Sequence, residues 1–140
     1  MAGELIGAMK VAASGLNVQS TRLRIISENL ANANSTGKTP GADPYSRKTI
    51  TFAQELVQAN GANRVVVDAI SRSADPFRIE KIPGHPAADG DGFVKLPNVQ
   101  TLVELTDMRE ANRSYEANLQ VIKQAKDMIA MAIDLLRSGR

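Results

Sequence analysis

The sequence predicts a mainly α protein. Long N- and C-terminal helices pack as an antiparallel coiled-coil pair, and a small β-rich insert lies between them. Three observations carry this expectation. An apolar seam runs Leu5, Met9, Ala12, Leu16, Gln19, Leu23, Ile26, Leu30, Ala33, stepping by four and three in turn. A second runs Leu105, Met108, Asn112, Tyr115, Leu119, Ile122, Lys126, Ile129, Ile133, Leu136. The middle of the chain has no such repeat. A seam of this period lays one narrow stripe of a helix against another helix. Helices of this kind at opposite ends of a chain pair with each other and leave their remaining faces to meet other subunits. The expected division is a terminal-helix domain of residues 1–34 and 98–140, with an insert of 35–97.

The first helix is expected from about Gly3 to about Ala33, roughly 45 Å long. Gly7 and Gly15 weaken it by about 1 kcal/mol each relative to alanine, so it firms up only when packed. Asn34-Ser35-Thr36-Gly37, Pro40-Gly41 and Asp43-Pro44 then stop the helix and form turns. In the insert, Tyr45 to Phe52, Arg64 to Ile70, Phe77 to Ile82 and Phe93-Val94 read as short strands, with Arg47 and Lys48 exposed. Gln54 to Asn60 reads as a short helical turn or an irregular link. The last helix starts near Pro97-Asn98, with Asn98 as its cap or with Thr101 and Glu104 as a capping box, and stops at Ser138-Gly139. A second apolar row on it (Val121, Ala125, Met128, Ala132, Leu135) widens the stripe beyond what one partner helix covers.

Composition narrows the function. Of 140 residues 43% are hydrophobic, but large rings are limited to three Phe and two Tyr, with no Trp. A core of Leu, Ile, Val, Ala and Met suits helix-on-helix contact better than a ligand cavity. The net charge is +2 and basic residues are dispersed, unlike a nucleic-acid arm, so no nucleic-acid partner is expected. There is no cysteine, and no apolar run reaches the roughly 18 residues of a membrane span. The N-terminal segment reads as mature helix and not as a cleaved signal, because Lys10 follows the apolar start and the seam runs straight through.

No catalytic, cofactor or metal site is expected. Thr36-Gly37-Lys38-Thr39 resembles the end of a phosphate-binding loop, but Asn32 stands where that motif needs glycine, and a helix precedes it where a strand should. Asp89-Gly90-Asp91-Gly92 resembles a calcium-loop fragment, yet Ala87 and Asn98 fall on its first and last ligand positions. His85 is the only histidine and has no cysteine or second histidine to complete a metal site. The polar seam residues Gln19, Asn112 and Lys126 either fix register and partner choice or mark where the seam turns to solvent.

Ala13-Ser14-Gly15-Leu16 and the Asn/Ala-dense close of the first helix, Ser27 to Gly37, resemble the N-terminal signature of the flagellar rod and hook family. Pro44-Tyr45-Ser46-Arg47-Lys48, Gly92 to Val99 and Asn112 to Asn118 look like segments of its proximal-rod members, in the same order along nearly the whole chain. The motif residues carried over are Asn29, Ala31, Asn32, Thr36, Gly37, Pro44, Tyr45 and Lys48. Asn29, Asn32 and Asn34 either cap the helix end alone or also bridge neighbouring subunits.

The resemblance implies a non-enzymatic structural subunit of the flagellar basal body. It would join other copies, proximal and distal rod subunits and the adaptor to the membrane ring in a hollow helical shaft that crosses the periplasm, transmits torque and encloses the export channel. Export through the flagellar type III apparatus, without a cleaved signal and without membrane insertion, is implied too. The seam residues expected to carry assembly are Leu16, Leu23, Ile26 and Leu30 on the first helix. On the last they are Asn112, Tyr115, Leu119, Ile122, Ile129, Ile133 and Leu136. The alternative is a helical export chaperone or adaptor, a class that is usually acidic and lacks a β-like insert.

Overall fold

A computed structural model describes residues 2–57 and 62–139 of the chain. In chain order its elements are α1 (Ala2–Ala31), β1 (Lys48–Val57), β2 (Ala62–Arg72), β3 (Arg78–Lys81), β4 (Phe93–Leu96) and α2 (Thr101–Ser138). The helices take 30 and 38 residues, and the strands form two separate two-stranded sheets, β1 with β2 and β3 with β4. This is the expected mainly helical chain with a small β insert.

α1 has no proline to interrupt it and ends where side chains take over from the backbone. Asn32 Nδ2 donates to Glu28 O at 2.8 Å, and Ser35 N donates to Asn32 O at 3.1 Å. The Asn32 side chain therefore bonds a carbonyl of the last turn, as expected, though Glu28 O is not free, since it also accepts from Asn32 N at 3.1 Å. No non-glycine residue among those described takes a positive φ, so the left-handed asparagine cap is not used.

α2 starts at Thr101, and neither expected cap forms it. Asn98 Oδ1 accepts from Arg47 N at 2.7 Å and Asn98 Nδ2 donates to Asp75 O at 2.9 Å, so that side chain ties loops together. Glu104, the capping-box carboxylate, is turned to Asn29 and Arg47. A stronger partner removed it from the helix end.

β1 differs from the expected strand at both ends. It begins at Lys48 because Tyr45 is drawn off to a hydrogen bond with Asn29. It continues through Gln54 to Val57, where a helical turn or irregular link was expected; residues 58–60 of that expectation lie outside those described. Threonine, isoleucine and phenylalanine at its start favour the pleated form and carry the strand onward. β2 keeps it paired. Ser73 N donates to Arg47 O at 2.8 Å, and the Thr49 and Ser71 hydroxyls meet at 2.9 Å. β3 and β4 pair antiparallel, with Ile79 opposite Lys95 and Glu80 opposite Val94.

By compactness the chain falls into two units. One holds Met1–Arg22, Thr51–Asp68 and Glu110–Arg140, and the other holds Leu23–Ile50 and Ala69–Arg109. In the first unit the two helices meet through small residues. Ala12, Ala111 and Ala125 are buried, and Gly15 sits so close to Asn118 that an added Cβ would lie 2.6 Å from its Nδ2. Val18 completes this core. In the second unit Ala87, Val94 and Leu96 form the apolar cluster under the β3–β4 hairpin, with Ile25, Ile26 and Val99 also buried.

Candidate functional site

The second unit gathers a buried polar cluster where α1 ends, β1 begins and α2 begins. Asn29, only 1% exposed, is its hub. Its Oδ1 accepts from Tyr45 Oη at 2.6 Å and from Lys48 N at 2.9 Å. Its Nδ2 donates to Lys48 O at 3.0 Å and Glu104 Oε2 at 3.4 Å. The amide thus pairs with both backbone groups of Lys48, as a neighbouring strand would. A carboxylate in that place lacks the donors, and glutamine is one methylene too long.

Glu104 is wholly buried and is held by the Arg47 guanidinium, which also lies 3.6 Å from Asp107. Lys48 Nζ donates to Glu28 Oε2 at 2.6 Å. Arg47 and Lys48, expected as exposed strand residues, are instead half-buried and committed to these carboxylates. A buried carboxylate needs a cation and hydrogen bonds, and Arg47 with Asn29 supplies both.

Two ionisations follow from this packing. The hydrogen bond from Lys48, opposed by desolvation and helped by the nearby positive charges, holds the Glu28 carboxyl below its ordinary value of 4.5. Burial pushes the Tyr45 phenol up, which keeps it protonated as the donor to Asn29. A depressed carboxylate adds stability above its unfolded-state pKa and loses it as pH falls through the lower folded value. Glu28→Gln should therefore lower the urea midpoint at neutral pH and above, where the parent holds this contribution, and the difference should shrink as pH falls from about 6 to about 3.

The other motif residues have separate jobs. Gly37 lies where an added Cβ would stand 2.6 Å from Ala42 Cβ and 2.9 Å from Ala42 O, so close approach of two backbone turns is what demands glycine there. Gly37→Ala should cost about 1–3 kcal/mol of stability by urea unfolding, because a backbone atom must give way. Ala31 closes α1 and is exposed, while Thr36 and Pro44 are half-buried in the turns that follow.

The expected seam residues fall into two groups. Ile26 is buried, and Leu16, Leu23, Leu30, Tyr115, Ile122 and Ile129 are half-buried. Asn112, Leu119, Ile133 and Leu136 are exposed. The packed row on α2 in the first unit is Ala111, Tyr115, Asn118, Ile122, Ala125 and Ile129; Asn112, Leu119 and Lys126 each stand one residue past a packed position. Alanine at 111 and 125 lets the helix backbones approach, and a bulkier leucine row would hold them apart.

Ile133 and Leu136 are exposed for a different reason. Gly15 faces Asn118, and Arg22 NH2 lies 3.4 Å from Glu110 Oε2, so numbers fall on one helix as they rise on the other. Ala2 lies thirteen residues before Gly15, and the position thirteen after Asn118 is Met131. Beyond it α2 outruns the described α1.

Along the overlap a shallow apolar groove of about 310 Å³ is lined by Ile6, Met9, Lys10, Ala13 and Ile122. On the flank of α2, Val121, Met128, Met131 and Leu135 are 43, 55, 64 and 71% exposed. Among the described residues no group of His, Cys, Asp or Glu is arranged to hold a metal ion, and no helix is long and apolar enough to cross a membrane.

Two family models match the chain. One, described as flagella basal body rod protein, covers residues 9–37; the other, flagellar basal body rod FlgEFG protein C-terminal, covers residues 91–135. They span most of α1 with its capping turns and most of α2 with its approach. The chain is similar to the flagellar basal-body rod protein FlgC of Agrobacterium fabrum, 59% identical over 97% of this chain and 98% of the relative. The protein of that name from Salmonella typhimurium is 36% identical over 94% and 97% of the two chains, and that from Borreliella burgdorferi 35% identical over 95% and 98%. Identity at that level along almost the full length of each relative means that the chain belongs to the FlgC family of flagellar basal-body rod proteins.

Proposed function

We propose that the chain is a structural subunit of the proximal rod of the bacterial flagellar basal body. It polymerises through its terminal helices into a hollow helical shaft that transmits torque and encloses the export channel. The observation that carries this reading is apolar surface on α2 that the chain itself leaves open: Val121, Met128, Met131 and Leu135 on one flank, Ile133 and Leu136 at the overhang. A helix that is apolar on two sides wants two neighbours. One is α1, and the opposed contacts of residues 15 with 118 and 22 with 110 support an antiparallel coiled-coil pairing. The second is a helix of an adjoining subunit.

In this reading the segments 1–34 and 98–140 form the rod core, with 35–97 as the appended insert. The expected seam residues then serve in two ways, the half-buried ones within the subunit and Leu119, Ile133 and Leu136 between subunits. The chain carries out no catalysis. Its partners are other copies, proximal and distal rod subunits, the adaptor to the membrane ring, and the type III export apparatus that delivers it to the periplasmic rod without signal cleavage. The buried cluster around Asn29 fixes the start of the insert to the helix ends, so that load applied to one is felt by the other.

Cryo-electron microscopy of isolated basal bodies tests this. Density for the chain within the shaft, with α2 covered on the Met128 flank, is the expected result. A basal body whose shaft lacks the chain sinks the reading.

A further inference from the structure

Val121, Met128, Met131 and Leu135 lie within a band of about 80° on α2, given 100° between successive residues. The two thioethers are the most oxidisable groups in this band, and the chain has no cysteine to compete for oxidant. Met128 and Met131 are 55 and 64% exposed, whereas Met9 and Met108 are half-buried.

We propose that Met128 and Met131 are an oxidant-sensitive patch that decides whether a subunit can enter the assembly. The inference rests on reading this flank of α2 as an assembly face. In the free subunit a hydroperoxide reaches either sulfur. The sulfur lone pair attacks the distal peroxide oxygen, the O–O bond breaks and an S–O bond forms. The thioether is oxidised by two electrons to the sulfoxide, and hydrogen peroxide leaves as water. The product exchanges a soft apolar side chain for a polar one with a strong acceptor oxygen. In contact with a neighbouring helix that oxygen has no assured donor, so covering it is unfavourable. In the assembled state the same sulfurs are covered and protected. A dithiol reductant returns the sulfoxide to the thioether, the oxygen leaving as water and the dithiol as its disulfide, so the block is reversible.

Two double variants test the idea in cells. Met128→Leu with Met131→Leu keeps volume and apolarity. Met128→Gln with Met131→Gln imitates the polar sulfoxide. Both change exposed positions, so the urea midpoint of each purified chain should match that of the parent. Incorporation is read by mass spectrometry of isolated basal bodies against the unassembled pool.

The leucine pair should incorporate like the parent and keep cells motile under peroxide, while the glutamine pair falls at least about tenfold. In the purified chain treated with hydrogen peroxide, Met128 and Met131 should convert before Met9 and Met108. Equal incorporation of the two pairs overturns the proposal, as does faster oxidation of Met9. Exclusion of both pairs overturns it too, because polarity would then not be the cause. Absence of the parent chain from basal bodies is a separate result that removes the assembly reading itself.

Discussion

Arg47→Met should lower the stability of the chain by about 3–5 kcal/mol, the range found when one partner of a buried ion pair is removed. Glu104 is wholly buried, and its carboxylate is met by the Arg47 guanidinium and the Asn29 amide. Methionine keeps much of the arginine stem and removes the charge, so the loss reports the uncompensated carboxylate and not a cavity. Pairing Arg47→Met with Glu104→Gln should recover a large part of it, because a neutral amide is far cheaper to leave in place. Urea unfolding of the two single variants and the double completes the cycle. If the double variant is no more stable than Arg47→Met alone, the pair is not the source of the effect. Asn29→Asp should also be damaging, since it removes both donors and places a second carboxylate beside Glu104.

The gross architecture was legible in the sequence because it depends on period and on punctuation. Seams of 3.5 residues marked both helices, and Asn32 with Ser35 closed the first one where the Asn/Ser/Thr/Gly run predicted. What was not legible depends on which partner wins a side chain. Glu104 reads as a capping residue in a local window, and Asn98 as an N-cap. Both were claimed instead by residues more than fifty positions away, Arg47 in each case. Arg47 and Lys48 look like the solvent side of an alternating strand until a buried carboxylate needs them. The α2 seam shows the same limit in packing. Leucine and isoleucine draw the eye to Leu119 and Ile133, yet helix contact in the first unit turns on Ala111, Ala125 and Gly15. Hydrophobic scale favours the larger residue, whereas close approach favours the smaller. Ala111 and Ala125, two heptads apart and each one residue before a seam position, were the available signal.

Fold and assembly separate in a comparison of two aspartates on α2. Ile129 is half-buried in the packed row, and Leu135 is 71% exposed on the open flank. Ile129→Asp sets a charge against α1 and should destabilise the subunit itself, as should Leu23→Asp on the other helix. Leu135→Asp changes a mostly exposed side chain, so the unfolding free energy should stay within about 0.5 kcal/mol of the parent. Both variants of α2 should nevertheless abolish rod formation and motility, because a neighbouring helix cannot cover an unpaired carboxylate. A secretion assay belongs beside the motility test, since the proposal requires that each variant be exported and then fail to pack. His85→Ala and Asp89→Asn serve as controls. His85 Nδ1 accepts one loop amide, and Asp89 Oδ1 accepts from Asp91 N and Phe93 N, a role that an asparagine oxygen keeps. Both should swim. Motile cells carrying Leu135→Asp, with the two loop controls paralysed, would move the assembly surface from the flank of α2 to the insert.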